Sequence, residues 1–138
     1  AALATGIIVL DYFVQVSVVQ ISLEAGETDG IALLTQFNPH GLFIALEDVG
    51  YLLMGVSFAF AAPAFIGASR LEQVLRVALI LGTVAVLVAL LGVVLVYGIE
   101  REYRFEVFAI SIDWLVLVIA GALLAAVFWR ARDVAKGS

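Results

Sequence analysis

Asp11, Glu47, Asp48 and Asp113 are carboxylates set in stretches of sequence that are otherwise almost wholly apolar. An ionisable group inside a membrane helix is expensive to keep, so its presence marks function by default. Carboxylates brought together in a low dielectric cannot all stay ionised, because desolvation and mutual repulsion both penalise the charged forms. A cluster of them holds protons or shares a cation. The chemistry open to it is proton coupling, binding of a cationic ligand, or proton transfer to an unsaturated lipid. Tyr51 follows Glu47 by one helical turn and shares its face, and Gln15 stands likewise beside Asp11. At about 100° per residue, Asp11, Gln15 and Ser22 fall on one narrow stripe. The candidate proton- or ligand-binding set is therefore Asp11, Gln15, Glu47, Asp48, Tyr51 and Asp113, with no catalytic residue and no metal ligand assigned.

Four apolar stretches must position these groups, over about 3–21, 39–65, 71–99 and 105–129. Hydrophobic residues make up 64% of the 138-residue chain and charged residues 14%. Soluble domains run at about 45–50% and about 25%, so too few polar residues remain to build a water-facing surface. The run 77–99 has neither charge nor proline and exceeds the ~20 residues a bilayer crossing needs. The expected fold is all-α, one integral membrane four-helix bundle in a single domain. The first stretch lacks a basic leader and is interrupted by Asp11, Gln15 and Gln20, so it reads as a span and not as a signal peptide.

Depth decides whether the acids can meet. At ~1.5 Å per residue, Asp11 lies ~15 Å inside its span, Glu47 and Asp48 ~12–14 Å and Asp113 ~12 Å. All four then stand near the middle or in one half of a ~30 Å core. The plainer alternatives are definite. Residues 49–68 alone are long enough to span, which would leave Glu47 and Asp48 at the water interface. Asp113 reads equally as a protonated side chain bonded to a neighbouring helix, and Asp11 with Gln15 as interhelical glue.

The connections carry their own signals. Segment 24–30 is an acidic, flexible loop, and Ile31, Leu34 and Phe37 recur at the spacing of a short interfacial helix. Asn38 and Pro39 read as the N-cap and first turn of the second span. Gly55, Ala59 and Pro63 form one small-residue stripe, and Gly121 with Ala125 another, each a face for close helix contact. Arg104 is the nearest basic candidate for the acids, while Arg76 lies on the far side.

Several classes are excluded or disfavoured. The net charge of −5, from 7 Lys and Arg against 12 Asp and Glu, argues against nucleic acid as a partner. Without cysteine there is no disulfide, thiolate metal site or redox pair. The single histidine, His40, reads as an exposed first-turn residue, and no cofactor is expected. Glu24, Glu27 and Asp29 lack the spacing of a calcium-binding loop. Arg70 and Arg76 flank one connection, and Arg130, Arg132 and Lys136 lie in the C-terminal tail, against Arg101 and Arg104 on the other side. The positive-inside rule then places both termini in the cytoplasm.

The segment from Asn38 through Phe43, with Leu46-Glu47-Asp48-Val49-Gly50-Tyr51-Leu52 and the turn from Tyr97 to Val107, resembles motifs of small bacterial membrane proteins. The resemblance implies a four-helix bacterial inner-membrane protein and transfers no activity. Three functions stay open. The first is an intramembrane acidic pocket that binds or moves a proton, a cation or a small amphiphile. The second is an accessory subunit of a larger membrane complex. The third is a lipid-modifying enzyme with an acid as proton donor. The expected partners are the lipid bilayer and, for the second reading, a membrane protein or a second copy of the chain.

Overall fold

The computed structural model describes residues 1–67 and 69–137, with side chains described as far as Arg132; Lys136 of the basic tail lies outside the described side chains. The described residues form five helices: α1 (Ala2–Glu24), α2 (Ile31–Leu34), α3 (Leu42–Ala64), α4 (Arg70–Arg101) and α5 (Arg104–Gly137). All but α2 are long and apolar enough to cross a membrane.

Local chemistry sets the ends. α4 opens with a capping box: the Ser69 hydroxyl accepts from the Glu72 backbone N–H at 3.2 Å, and the Glu72 carboxylate accepts from the Ser69 N–H at 3.4 Å. The regular part of α4 ends at Tyr97, where Gly98 takes φ +53°, a conformation that costs glycine little. α3 starts at Leu42, with Gly41 and not Asn38 at its cap. Asn38 instead closes a turn of its own. Its side chain accepts from the His40 N–H at 3.0 Å and donates to the Ala32 carbonyl at 2.7 Å, tying the turn to α2.

The four long helices run up, down, up and down. α1 lies antiparallel to α3, with Ile8 against Gly50 and Tyr12 against Phe43. α3 crosses α4 where Gly55 meets Val86, and α4 crosses α5 where Gly82 meets Val116. Each crossing puts a glycine on one helix under an aliphatic side chain of the next. A Cβ on Gly50 would come within 2.5 Å of Ile8 Cγ1, so the backbones stand closer than any other residue permits. The small residues of α5, Gly121 and Ala125, are exposed and make no such crossing.

Two apolar clusters fill the bundle. Phe58, Ala62, Leu75, Leu79, Val116 and Ala120 pack near the termini, and Tyr51, Val86, Val93, Phe105 and Ala109 pack toward the loops. The outer surface is apolar as well: Phe60, Leu95 and Ile99 are all more than four-fifths exposed. So continuous an apolar exterior has no place in water and suits lipid. Hydroxyls within the helices are satisfied locally, Ser57 by the Met54 carbonyl and Ser111 by the Val107 carbonyl, each at 2.7 Å.

The Thr83 hydroxyl links α4 to α3. It donates toward the Gly55 carbonyl of α3 at 2.6 Å, with the Leu79 carbonyl of its own helix also in range at 3.2 Å. Thr83→Val keeps the shape and removes the donor. The expected loss is about 0.6 kcal/mol and at most about 1.7 kcal/mol, read as a lower unfolding midpoint in detergent followed by circular dichroism.

Candidate functional site

Asp11 of α1, Glu47 and Asp48 of α3 and Glu106 of α5 come together toward the loop end of the bundle, and Asp113 lies deeper on α5. Asp11 from α1 and Glu47 from α3 are each 2% exposed, and Asp113 from α5 is wholly buried. Asp48 is half-buried, with Oδ1 sealed from solvent and without a partner. Glu47, Asp48 and Tyr51 lie within one turn of α3, so a single helix segment aims three groups at its neighbours. Glu47 is thus closed off by its own neighbours.

The centre of the site is Glu47. Tyr12 of α1 donates its phenolic O–H to Glu47 Oε1 at 2.5 Å, holding the carboxyl against the α1–α3 crossing. The Tyr12 ring stands edge-on to Phe43 at 5.5 Å, which fixes the donor in turn. Tyr51 stands near Tyr12 and Glu47, on the same side of the α1–α3 contact. Glu106 of α5 comes within hydrogen-bonding reach of Glu47 from the other side, close to the charges of Asp48 and Asp11. Glu106 Oε2 is nevertheless buried without a donor. Two carboxylates are both acceptors, so this pair forms its bond only when one member carries a proton.

Asp113 lies two turns beyond Glu106 on the same face of α5, where the charge of Asp113 is felt at Tyr51. Neither of its oxygens has a hydrogen-bond partner. Asp11 Oδ2 is likewise without a partner. Along α5 Asp113 lies two turns deeper than Glu106, and along α3 Tyr51 lies one turn deeper than Glu47.

Gln15 takes no part in this set. Its amide donates to the Leu34 carbonyl at 2.6 Å and accepts from the Gln36 N–H at 3.2 Å, so it pins the α2 loop to α1. The residues from Gln15 to Val19 form a π-helical turn, a widening that often accompanies functional positions in helices. Arg104 also turns away. It donates to the Glu100 carbonyl at 2.6 Å, pairs with Glu102 at 3.3 Å and lies over the Tyr97 ring at 4.5 Å. Arg101, on the same turn, shares two cavities with Asp48 and is the cation that bears on it.

Among the described residues three openings touch the site acids, the two larger of them at the loop end. A cavity of about 370 Å³ lies between α1, α3 and α5 and touches Glu47 and Glu106. A second, of about 380 Å³, lies between the start of α3 and the α4–α5 turn and touches Asp48 and Arg101. Among the described residues no group of three or more His, Asp or Glu is placed to hold a metal ion. Glu106 and Tyr12 were not among the sequence candidates. Glu106 falls in the charged run after Gly98 and reads there as turn, although its seven-residue spacing to Asp113 puts both on one face. Tyr12 is partly exposed and reaches the site only through its hydroxyl.

No family model, curated protein or solved structure matches the chain.

Proposed function

We propose that the chain is an integral membrane protein whose carboxylate–tyrosine cluster takes up and releases protons at one membrane face. The observation that carries this is the Glu47–Glu106 pair: two carboxyls from different helices, within bonding reach, that can bond only through a shared proton. The phenols of Tyr12 and Tyr51 extend the line of exchangeable protons inward toward Asp113. Relays of acids and hydroxyls inside apolar helices serve proton movement in membranes. With more Arg and Lys near the termini than at the loops, we place both termini in the cytoplasm, so that the cluster opens outward.

The burial of the cluster weighs against the accessory-subunit reading. That reading needs a partner's basic side chains to meet the acids. Asp11, Glu47 and Asp113 are already enclosed by their own chain, so a partner would have to open the bundle first.

Infrared spectroscopy of the protein in lipid nanodiscs tests the proposal. At neutral pH a protonated-carboxyl band is expected, shifting on transfer to heavy water. Glu47→Gln keeps an acceptor for Tyr12 and is expected to lose that band's share from the pair, and with it one exchangeable proton. If wild-type protein shows no protonated carboxyl at neutral pH, the proposal is wrong.

A further inference from the structure

We infer that the cavity in front of Glu47 and Glu106 binds a small organic ammonium ion, which enters as a proton leaves. The inference rests on the proton-exchange reading above and adds the class of ligand.

The wall of the cavity carries the argument. Its two carboxyls are Glu47 and Glu106, and its rings are Tyr12, Phe37, Phe43 and Tyr103. Glu47 is almost completely buried, and its carboxyl is held at the cavity by the Tyr12 hydroxyl. Glu106 Oε2 is enclosed without any donor. A proton alone needs no cavity of about 370 Å³, a volume within the roughly 300–1,000 Å³ of small-molecule sites. A hard metal ion wants six or more converging oxygens, and here much of the wall is aromatic carbon. Aromatic rings with carboxylates suit a cation whose charge is spread over an apolar shell, because the ring faces attract it while its alkyl groups need no hydration.

Charge balance links the ligand to protons. When Glu47 and Glu106 share a proton, the pair carries one negative charge. An ammonium ion entering beside it adds one positive charge, and release of the shared proton leaves two carboxylates facing one cation. No covalent bond changes except the O–H bond that ionises. The groups that face Glu47 are Asp11 and Tyr12 from α1, Asp48 and Tyr51 from α3, and Glu106 from α5, with Arg101 beyond Asp48 and Asp113 deeper, toward Tyr51. The one cation of that group bears on Asp48, so the Glu47–Glu106 pair is left to be neutralised by a proton or by a ligand.

The experiment is titration of nanodisc-embedded protein with tetramethylammonium chloride, matched against sodium chloride at equal ionic strength. Heat and proton release into weak buffer are recorded together. Tetramethylammonium is expected to give saturable heat and up to one proton released per ion bound. Sodium should give neither, and affinity should rise with pH. Glu47→Gln and Glu106→Gln should each abolish the proton release. Phe37 is 78% exposed, so Phe37→Ala should leave the fold intact while weakening binding about 2–5-fold, the range of one exposed cation–ring contact. A wild-type protein that shows the protonated-carboxyl band but responds equally to both salts, or to neither, overturns the ammonium site and leaves the proton site standing. Loss of that band in the wild type removes both.

Discussion

Gly82→Leu is expected to separate α4 from α5 and to leave the protein unable to hold its bundle. At Gly82 a Cβ would lie 2.5 Å from Val116 Cγ2 and 3.2 Å from Cγ1. Val116 cannot turn aside, because a β-branched side chain in a helix has essentially one rotamer. It is also buried in the apolar cluster with Leu79 and Ala120, so there is no space to receive it. The helices must therefore move apart. Inserting methylenes into a packed interior costs about 1–3 kcal/mol, and leucine adds a whole side chain at a backbone-to-side-chain contact. The expected result is loss of cooperative unfolding in detergent by circular dichroism. Gly82→Ala should be milder, and Val116→Ala in the same chain should restore much of its stability, since it removes the two methyl groups that collide. If Gly82→Leu unfolds with the wild-type midpoint, α4 and α5 do not cross at this residue.

The crossing also explains which parts of the architecture were legible from the residues alone. The helix from Arg70 was visible because 77–99 contains no residue that lipid would reject. Counting along helices of known rise put Asp11, Glu47 and Asp113 at one height, but Asp113 lies two turns of α5 away from Glu106, the residue that approaches Glu47. Pairings between helices were not legible in the same way. They depend on where Gly50, Gly55 and Gly82 let backbones approach, and glycines that serve as contacts look the same in sequence as those that do not, such as the exposed Gly92 and Gly121.

Short-range ambiguity accounts for the rest. Gln15 shares a stripe with Asp11, but it stands one turn nearer the α2 loop, where the Leu34 carbonyl and the Gln36 N–H offer it partners. Arg101 and Arg104 flank one tight turn, and the positive φ values of Gly98 and Glu102 decide which of them faces Asp48. Nothing in residue type distinguishes the two. Glu106 was hidden by its neighbours: a run of charges suggests water, yet the first turn of α5 already carries Glu106 beneath the loop and beside Glu47.

Asp113→Val is expected to make the protein more stable and less functional. The carboxyl of Asp113 is completely buried, and neither oxygen has a partner. An unpaired buried charge is costly, and exchanging buried ionic groups for apolar ones of similar volume is often neutral or stabilising by about 1–4 kcal/mol. Valine is near aspartate in size and can meet the apolar residues around this level, Ile112 and Val116 among them. The unfolding midpoint in detergent should therefore rise, with Trp114 fluorescence as a probe from the next residue. Asp113→Asn should gain less, because it removes the charge while adding an N–H that needs an acceptor. Proteins keep such unfavourable groups where function requires them. In proteoliposomes given a pH jump, both variants should therefore lose the proton uptake that passes inward beyond Tyr51, while the Glu47–Glu106 pair still exchanges with the outer solution. A stabilised Asp113→Val protein with wild-type uptake would restrict the proton site to the cavity end. A destabilised one would mean that Asp113 is held by water or another ligand in the bundle, and the relay would then run through that molecule.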